Sequence, residues 1–356
     1  MKVPLCITKL QSKELKIINK SLKTGWLTHG KSNHDFEKKF SSYIGCKYSI
    51  SMNSCTSALE CSVKTLKKKG EIIIPSFTWV STANAIINSG CKPVFADVDI
   101  NSRNITAENI ENKITKKTVA VIVVHYGGLP CEMDKILKLC KNKKIQVIED
   151  SAETIGAKFK NKYTGSFGVG CFSFFPTKNI TTTEGGMFTT NNKKQYNYVK
   201  KLIAHGIKKN PKKPWLREAI IPGHNFRMPN HLAALGIIQL NQIKKFNSTR
   251  NKIAKKYNNF FSKYSNLFKV QKVLKNFTHS YQMYTILVNT KYRNSFLKYL
   301  IKFGIGASIH FVPPLHQQKY LQKYNKYKLI NTEILSKKII TLPMSHYMTM
   351  KQANYV

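Results

Sequence analysis

Two residues of opposite charge each follow a short apolar run, and together they can support cofactor chemistry. Asp150 ends the run Ile148-Glu149-Asp150, and Lys178 comes soon after Phe174-Phe175-Pro176. A carboxylate beyond the carboxyl end of a strand can hold a protonated ring nitrogen, or else it can cap a helix or form a structural ion pair. A lysine desolvated beside an apolar strand can attack an aldehyde and form a Schiff base. The two residues therefore fit an aldehyde cofactor that carries a pyridine ring.

Two other segments could hold such a cofactor. Asn53-Ser54-Cys55-Thr56-Ser57 opens a predicted helix, and backbone N–H groups at a helix N-terminus bind phosphate. The alternative is that Ser54 only caps the helix. Pro75-Ser76-Phe77-Thr78-Trp79 places an aromatic side chain just past a predicted strand, where it can stack on a flat ring. The alternative for Trp79 is a place in the core.

Short apolar runs alternate with longer amphipathic stretches, a pattern that predicts strands of a mainly parallel sheet between helices. The fold class is therefore α/β. The predicted strands are Glu71–Pro75, Pro93–Ala96, Val119–Val124, Ile145–Ile148 and Cys171–Phe175.

The helical pattern suggests two domains. A helix is expected over Cys55–Lys69 with Gly70 ending it. After Leu240 the pattern of apolar and charged residues changes. It predicts a Lys-rich helix over 242–264, a strand over 280–288 and a helix over 292–303. We expect a large α/β domain over residues 1–245 and a smaller α+β domain over residues 246–356.

The charge of the chain is unusually positive, at +42 over 356 residues. Only five of the 59 basic residues are Arg, and the lysines are spread along the whole chain instead of forming one basic stripe. Nucleic-acid recognition favours Arg and a concentrated patch. We therefore expect no nucleic-acid partner, although the charge favours an anionic substrate.

Membrane and metal functions are not expected. No run reaches the ~18–20 apolar residues of a membrane span, and the N-terminus lacks the apolar run of a secretory signal. The eight cysteines include no Cys-x-x-Cys pair, so we expect reduced thiols and no metal site. We predict a cytoplasmic protein without a membrane partner.

In combination and in order, these motifs resemble those of the DegT-type (DegT/DnrJ/StrS) nucleotide-sugar aminotransferases, pyridoxal-phosphate enzymes of fold type I. The resemblance runs from Gly25-Trp26-Leu27-Thr28 to Leu342-Pro343-Met344. The matching motifs are Asp150-Ser151-Ala152-Glu153, Ser173 to Lys178, Gly223-His224-Asn225-Phe226-Arg227-Met228, and the tail Gly304-Ile305, His310 and Pro314-Leu315-His316.

The resemblance implies a role for each matching residue. Lys178 would form the Schiff base with pyridoxal 5'-phosphate and move the proton between substrate and cofactor. Asp150 would hold the pyridinium nitrogen, Trp79 would stack on the ring and Glu153 would lie near it. The remaining implied residues are Thr56, the Cys55 amide and Ser173 for the phosphate, Asn225 for the cofactor of the neighbouring subunit in a homodimer, and Thr28, His310 and His316 for the sugar nucleotide.

Two positions depart from the family pattern, because Cys55 and Thr183 stand where relatives commonly have Gly. Thr183 would alter the turn after Lys178, since Gly permits a positive φ and Thr resists it. A third segment, Gly165–Gly170, is glycine-rich but precedes a strand, so it is not a dinucleotide-binding loop.

The resemblance implies transfer of an amino group from L-glutamate to a nucleotide-linked keto-sugar, for surface polysaccharide or glycan synthesis. Thr78–Thr82 and His125-Tyr126 look most like relatives that act on 4-keto sugars. One alternative is dehydration of a keto-sugar, but relatives that dehydrate have His in place of the lysine. The other alternative is a non-catalytic regulator. The Lys/Pro-rich segment 208–214 is expected to be a mobile loop over the site, with lysines that attract a diphosphate.

Overall fold

The computed structural model of the protein describes residues 1–208 and 210–356. In this part of the chain there are fifteen strands and eleven α-helices. The strands are β1 Tyr48–Met52, β2 Glu71–Pro75, β3 Lys92–Ala96, β4 Thr118–Val124, β5 Gln146–Asp150, β6 Lys158–Phe159, β7 Lys162–Tyr163, β8 Val169–Ser173, β9 Gly186–Thr190, β10 Ile207–Lys208, β11 Glu218–Ala219, β12 Lys269–Val270, β13 Phe277–Thr278, β14 Tyr284–Leu287 and β15 Ile339–Leu342. The helices are α1 Ser12–Leu22, α2 Lys31–Ile44, α3 Cys55–Lys64, α4 Val80–Asn88, α5 Ala107–Glu111, α6 Met133–Asn142, α7 Lys193–Leu202, α8 Asn230–Phe261, α9 Thr290–Lys302, α10 Ile330–Lys338 and α11 Met350–Tyr355.

A seven-stranded sheet organises the N-terminal part of the chain, with strand order β1-β9-β8-β5-β4-β2-β3. The contiguous strands β3, β2, β4, β5 and β8 pair in parallel, whereas β9 is antiparallel to both of its neighbours. As a result, β1 runs in the same direction as the parallel set. The carboxyl ends of β1, β2, β4, β5 and β8 therefore meet at one edge, where parallel sheets bind ligands.

Helices cover both faces of this sheet, which explains why its strands read as unbroken apolar runs. Alternate residues of one strand enter different cores, because side chains of a strand point to opposite faces. Ile72 and Ile74 pack with Leu59 of α3. Ile73 packs on the other face with Ile136 of α6. The α/β fold predicted from the sequence is observed, with all five predicted strands present.

The predicted helix over 55–69 is shorter in the structure, and Gly70 does not end it. The α-helix stops at Lys64, where the hydroxyl of Thr65 donates to the carbonyl of Ser62 at 2.7 Å. Gly70 instead leads into β2, so close to Lys117 that an added Cβ would lie 2.5 Å from the Lys117 carbonyl oxygen. The glycine therefore allows close packing of the segments that lead into β2 and β4, and it was wrongly assigned to a helix cap.

The C-terminal part is built on the long helix α8, which begins at Asn230 and not near residue 242 as the sequence suggested. Behind it lie the sheet β12-β14-β15 and helices α9 and α10. Val3 packs in the core of this part, and the N-terminal segment bridges to Ile305. The proposed boundary at 245/246 falls inside α8, and the division into two domains stays a prediction.

The segment 208–214, for which a mobile loop was predicted, includes Lys209, which lies outside the described residues. On either side of it, β10 and β11 form a short antiparallel hairpin. Within the described part of the chain, no helix combines the length and the apolar character required to cross a bilayer.

Candidate active site

Asp150 lies at the end of β5, the central strand of the ligand-binding edge. It is 5% exposed, and its two carboxylate oxygens accept separate hydrogen bonds. Oδ2 accepts from the Thr82 hydroxyl at 2.9 Å, and Oδ1 accepts from the Ala152 N–H at 3.2 Å. Burial raises the pKa of Asp150, and these two donors act against that shift by stabilising the ionised form. Asp150 is thus an oriented, buried carboxylate able to face a cationic ring nitrogen.

Glu153 and Lys178 form an ion pair beside Asp150. Lys178 Nζ lies 3.4 Å from Glu153 Oε1, and both side chains are mostly buried. The other oxygen of Glu153 accepts from the Gly127 N–H at 2.7 Å. Because a backbone amide holds one oxygen of Glu153, the other oxygen keeps a fixed direction toward the lysine amine.

The loop that carries Lys178 is held by the C-terminal part of the chain. Gln282 Nε2 donates to the Thr177 carbonyl at 3.1 Å. Asn179 Nδ2 donates to the Ser280 carbonyl at 3.0 Å and to Asn247 Oδ1 at 2.7 Å. These bonds fix the backbone on both sides of Lys178, which is a requirement for a precisely placed reactive amine.

The start of α3 faces the same edge of the sheet. Ser54 caps the helix by accepting from the Ser57 N–H at 3.1 Å, so the predicted cap is present. Cys55 and Thr56 are the first two helical residues, and their N–H groups have no partner within the helix. A Cβ added to Gly186 would lie 2.5 Å from the Cys55 nitrogen, so only glycine permits this approach of β9. Ser173 pairs with Gly186 in the sheet, and its hydroxyl accepts from the Phe175 N–H at 3.3 Å.

The thiol of Cys55 lies within the electrostatic reach of the site. Burial raises its pKa well above the ordinary value, and the charge of Asp150 raises it further. The thiol is therefore protonated at neutral pH and does not act as a thiolate nucleophile. Its backbone N–H is the group that the prediction assigned to the phosphate.

These residues fit pyridoxal phosphate. A helix N-terminus with two free N–H groups and a nearby hydroxyl suits the phosphate, and Asp150 suits the pyridine nitrogen. Trp79 is 62% exposed at the N-cap of α4, so it is not the core residue of the alternative reading and has a free face for stacking. Among the described residues, no group of three or more potential ligands is arranged to hold a metal ion.

The two histidines predicted to bind substrate differ in their surroundings and hydrogen-bond partners. His310 lies near Glu153 and Lys178, and burial lowers its pKa, so its imidazole is neutral at pH 7. Its Nδ1 lies 2.7 Å from the Thr341 hydroxyl. His316 is 2% exposed, its backbone N–H donates to the Ser76 hydroxyl at 3.0 Å, and its Nδ1 lies 2.7 Å from the same hydroxyl oxygen. These bonds give His316 a structural role, and its part in substrate binding stays a prediction.

Thr28 and Asn225 are exposed on the surface of the chain. Asn225 Oδ1 accepts from Arg227 Nε at 3.1 Å. The next carbonyl, that of Phe226, accepts from the Asn53 N–H at 2.9 Å. Asn225 therefore lies on a segment that passes the loop before α3 of its own chain, and its action on a partner's cofactor stays a prediction.

Sequence reasoning missed the role of Glu149, the neighbour of Asp150. Its fully buried carboxylate accepts from the N–H groups of Gly165, Phe167 and Gly168 at 2.7–2.8 Å. It also faces His125 Nε2 at 3.1 Å, and because His125 Nδ1 accepts from the Cys131 N–H, Nε2 carries the proton. The glycine-rich segment thus binds a carboxylate of its own chain, and the glycines beside a buried Glu were the signal for it.

The turn after Lys178 keeps the conformation that glycine would adopt. Thr183 has φ of +67°, in the left-handed region that β-branched residues avoid. Its N–H donates to the Thr181 hydroxyl at 2.9 Å. Thr183 therefore adopts the positive φ that threonine resists, and whether this alters the turn relative to members with Gly stays a prediction.

Comparison with known proteins places this site in a family. Residues 8–356 match the sequence profile of the DegT/DnrJ/EryC1/StrS aminotransferase family. The chain belongs to this family. GDP-perosamine synthase of Escherichia coli O157:H7 is 34% identical over 360 residues, covering 99% of this chain and 96% of that protein. Spore coat polysaccharide biosynthesis protein SpsC of Bacillus subtilis (strain 168) is 33% identical over 362 residues, covering 96% of this chain and 92% of that protein.

Solved structures of the family share the whole fold. Helicobacter pylori PseC, an aminotransferase involved in the biosynthesis of pseudoaminic acid, is 29% identical with a TM-score of 0.93, covering 99% of this chain and 96% of that one. An E. coli GDP-4-keto-6-deoxy-D-mannose-3-dehydratase with bound hydrated PLP is 26% identical, with a TM-score of 0.93 and coverage of 100% and 98%. The predicted family, fold, aminotransferase class and pyridoxal phosphate cofactor are confirmed.

Proposed function

We propose that the protein transfers an amino group from L-glutamate to a nucleotide-linked keto-sugar, most simply a 4-keto sugar. The observation that carries the proposal is the amine of Lys178, held 3.4 Å from Glu153 beside the buried Asp150. Aminotransfer needs a lysine at this place, whereas the resemblance assigns His to relatives that dehydrate.

The residues of the chain divide the work between binding and proton transfer. Asp150 holds the ring nitrogen, the Cys55 and Thr56 N–H groups with the Ser173 hydroxyl hold the phosphate, and Trp79 covers the ring. When bound, pyridoxal phosphate supplies an electron sink and an aldehyde that can carry an amino group. Lys178 Nζ takes and returns the proton at the carbon that gains or loses the amine.

Glu153 orients this proton-transferring amine. Its Oε2 is fixed by the Gly127 N–H, which leaves Oε1 directed at Lys178 Nζ. The contact holds the lysine amine in one direction by a hydrogen bond to the carboxylate. His310, neutral and close to both groups, can accept a hydrogen bond from a sugar hydroxyl without adding charge.

The relatives support the substrate class. One relative is named GDP-perosamine synthase and another is a spore coat polysaccharide biosynthesis protein. The net charge of +42 would raise the local concentration of an anionic sugar nucleotide. We infer a place in surface polysaccharide or glycan synthesis, a homodimer in which Asn225 reaches the partner's cofactor, and the two domains 1–245 and 246–356. The cytoplasmic location stays a prediction.

The test is a product analysis with isotope-labelled donor. The protein is incubated with ¹⁵N-labelled L-glutamate and, in separate reactions, with UDP-, GDP- and dTDP-linked 4-keto-6-deoxy sugars. We expect mass spectrometry to detect a nucleotide-linked amino sugar that carries ¹⁵N. This product should be absent when Lys178→Ala replaces the wild-type protein. A product that has lost water and contains no ¹⁵N would favour the dehydratase instead. No conversion of any sugar, together with no binding of the cofactor, would favour a non-catalytic regulator.

A further inference from the structure

The hydroxyl of Thr82 forms a hydrogen bond with Asp150, a residue far from it in the sequence. Thr82 lies in the first turn of α4 and is fully buried. A threonine in a helix often bonds a carbonyl of the preceding turn. Here the hydroxyl instead reaches Asp150 Oδ2 at 2.9 Å, across 68 positions of sequence. The contact joins α4, whose N-cap is Trp79, to the end of β5.

The direction of this hydrogen bond follows from the chemistry of its partners. An ionised carboxylate only accepts, so the Thr82 hydroxyl donates to Asp150. Its oxygen is then free to accept from the Thr78 hydroxyl, which lies 3.4 Å away and is also buried. Two buried hydroxyl groups, one just before α4 and one in its first turn, therefore form a short chain that ends at the Asp150 carboxylate.

We propose that Thr82 is the positioning residue that keeps Asp150 ionised and aimed at the ring nitrogen of the cofactor; this rests on the proposed function. Asp150 receives one protein donor on each oxygen, from Thr82 and from the Ala152 N–H. The Ala152 amide belongs to the same turn as Asp150, so Thr82 is the side chain that fixes the carboxylate relative to the rest of the site. The branched Cβ of threonine restricts χ1 in a helix, which limits the directions in which the hydroxyl can point.

Burial makes this donor important. Asp150 is 5% exposed, and desolvation disfavours its charged form more than any neighbour favours it. The Thr82 hydroxyl is the largest of the influences that favour the ionised form, ahead of the Ala152 N–H and Lys178. Without this hydroxyl, Asp150 would take up a proton at a higher pH. Cofactor binding is therefore retained at a pH above the pKa of Asp150 and is lost as the pH falls through that pKa.

The test compares Thr82→Val, which keeps the shape and removes the donor, with Thr82→Ser, which keeps the donor. The dissociation constant for pyridoxal phosphate is measured by titration over a series of pH values. A lost hydrogen bond to a charged group predicts roughly tenfold weaker binding for Thr82→Val, with the acid limit of binding at higher pH. Thr82→Ser should stay within about threefold of wild type, because the donor is kept.

A double-mutant cycle separates positioning from a purely structural role. In an Asp150→Asn background, Thr82→Val should cause no further loss of affinity, because the carboxylate that it serves is gone. An equal loss in both backgrounds, or a Thr82→Ser variant as weak as Thr82→Val, would overturn the proposal. If the wild-type protein fails to bind pyridoxal phosphate, the proposed function itself is wrong. If the wild-type protein binds it and Thr82→Val binds it equally well, only the role of Thr82 is wrong.

Discussion

At the scale of single residues, the site depends on two adjacent carboxylates with different tasks. Asp150 faces the ligand-binding edge with one donor on each oxygen, whereas Glu149 points into the protein and is surrounded by N–H groups. Strand alternation explains the difference, because neighbouring residues of β5 point to opposite faces. The same alternation makes Glu149 a structural anchor for the glycine-rich segment next to the active site.

Glu149→Gln should destabilise the protein strongly. The amide would direct its own N–H₂ at backbone donors that now share a carboxylate, and at least one buried N–H would lose its acceptor. We expect the free energy of unfolding to fall by about 3 kcal/mol, measured by urea denaturation. The matched control is Glu132→Gln, whose exposed pair with Lys135 should contribute less than about 1 kcal/mol. Equal effects of the two substitutions would contradict the assignment.

At the scale of elements, the sequence predicted a residue's role correctly where its contact partner lies close by in the chain. Ser54 caps α3 as predicted, because the cap bonds a residue only three positions away. Gly70 was misassigned because the need for glycine comes from its close approach to Lys117, the residue before β4. The contact of Thr82 with Asp150 spans 68 positions, and nothing in either local pattern predicts it. The start of α8 was also missed, since the sequence from Asn230 onward was not recognised as part of one long helix.

The turn after Lys178 provides a prediction at this scale. Thr183 holds a φ of +67°, which costs a β-branched residue about 1–3 kcal/mol, while Gly adopts it freely. Thr183→Gly should therefore raise the free energy of unfolding by about 1 kcal/mol, after the entropy of the more flexible unfolded chain is subtracted. Thermal unfolding of this variant beside Thr183→Ala measures the effect, and the Ala variant should gain less. A destabilised Gly variant would show that the Thr183 side chain is needed in the turn.

At the scale of the whole molecule, the proposed homodimer requires that one site use residues of two subunits. Asn225 is exposed, and its neighbour Phe226 contacts Asn53 of the same chain. The family resemblance instead assigns Asn225 to the partner's cofactor. A mixed dimer separates the proposed role of Asn225 in the partner's site from a role in its own chain.

Co-expression of Lys178→Ala with Asn225→Ala distinguishes the two. If Asn225 serves the partner's site, each mixed dimer has one site with both defects and one intact site. Random pairing then restores about a quarter of wild-type activity per total protein, well above that of either variant alone. If Asn225 serves its own chain, every site keeps one defect and the activity per total protein stays at the mean of the two variants. Separate tags on the two chains confirm that mixed dimers form.

The most direct test of the central claim is the absorbance spectrum of the purified protein, before and after L-glutamate is added, with Lys178→Ala measured beside it. The account predicts a visible band of the bound cofactor that disappears with glutamate and is missing from the variant. This result would show that Lys178 holds the cofactor and that the donor half of the reaction occurs. A protein that shows no band even after addition of pyridoxal phosphate, or a band that Lys178→Ala and glutamate leave unchanged, would contradict it.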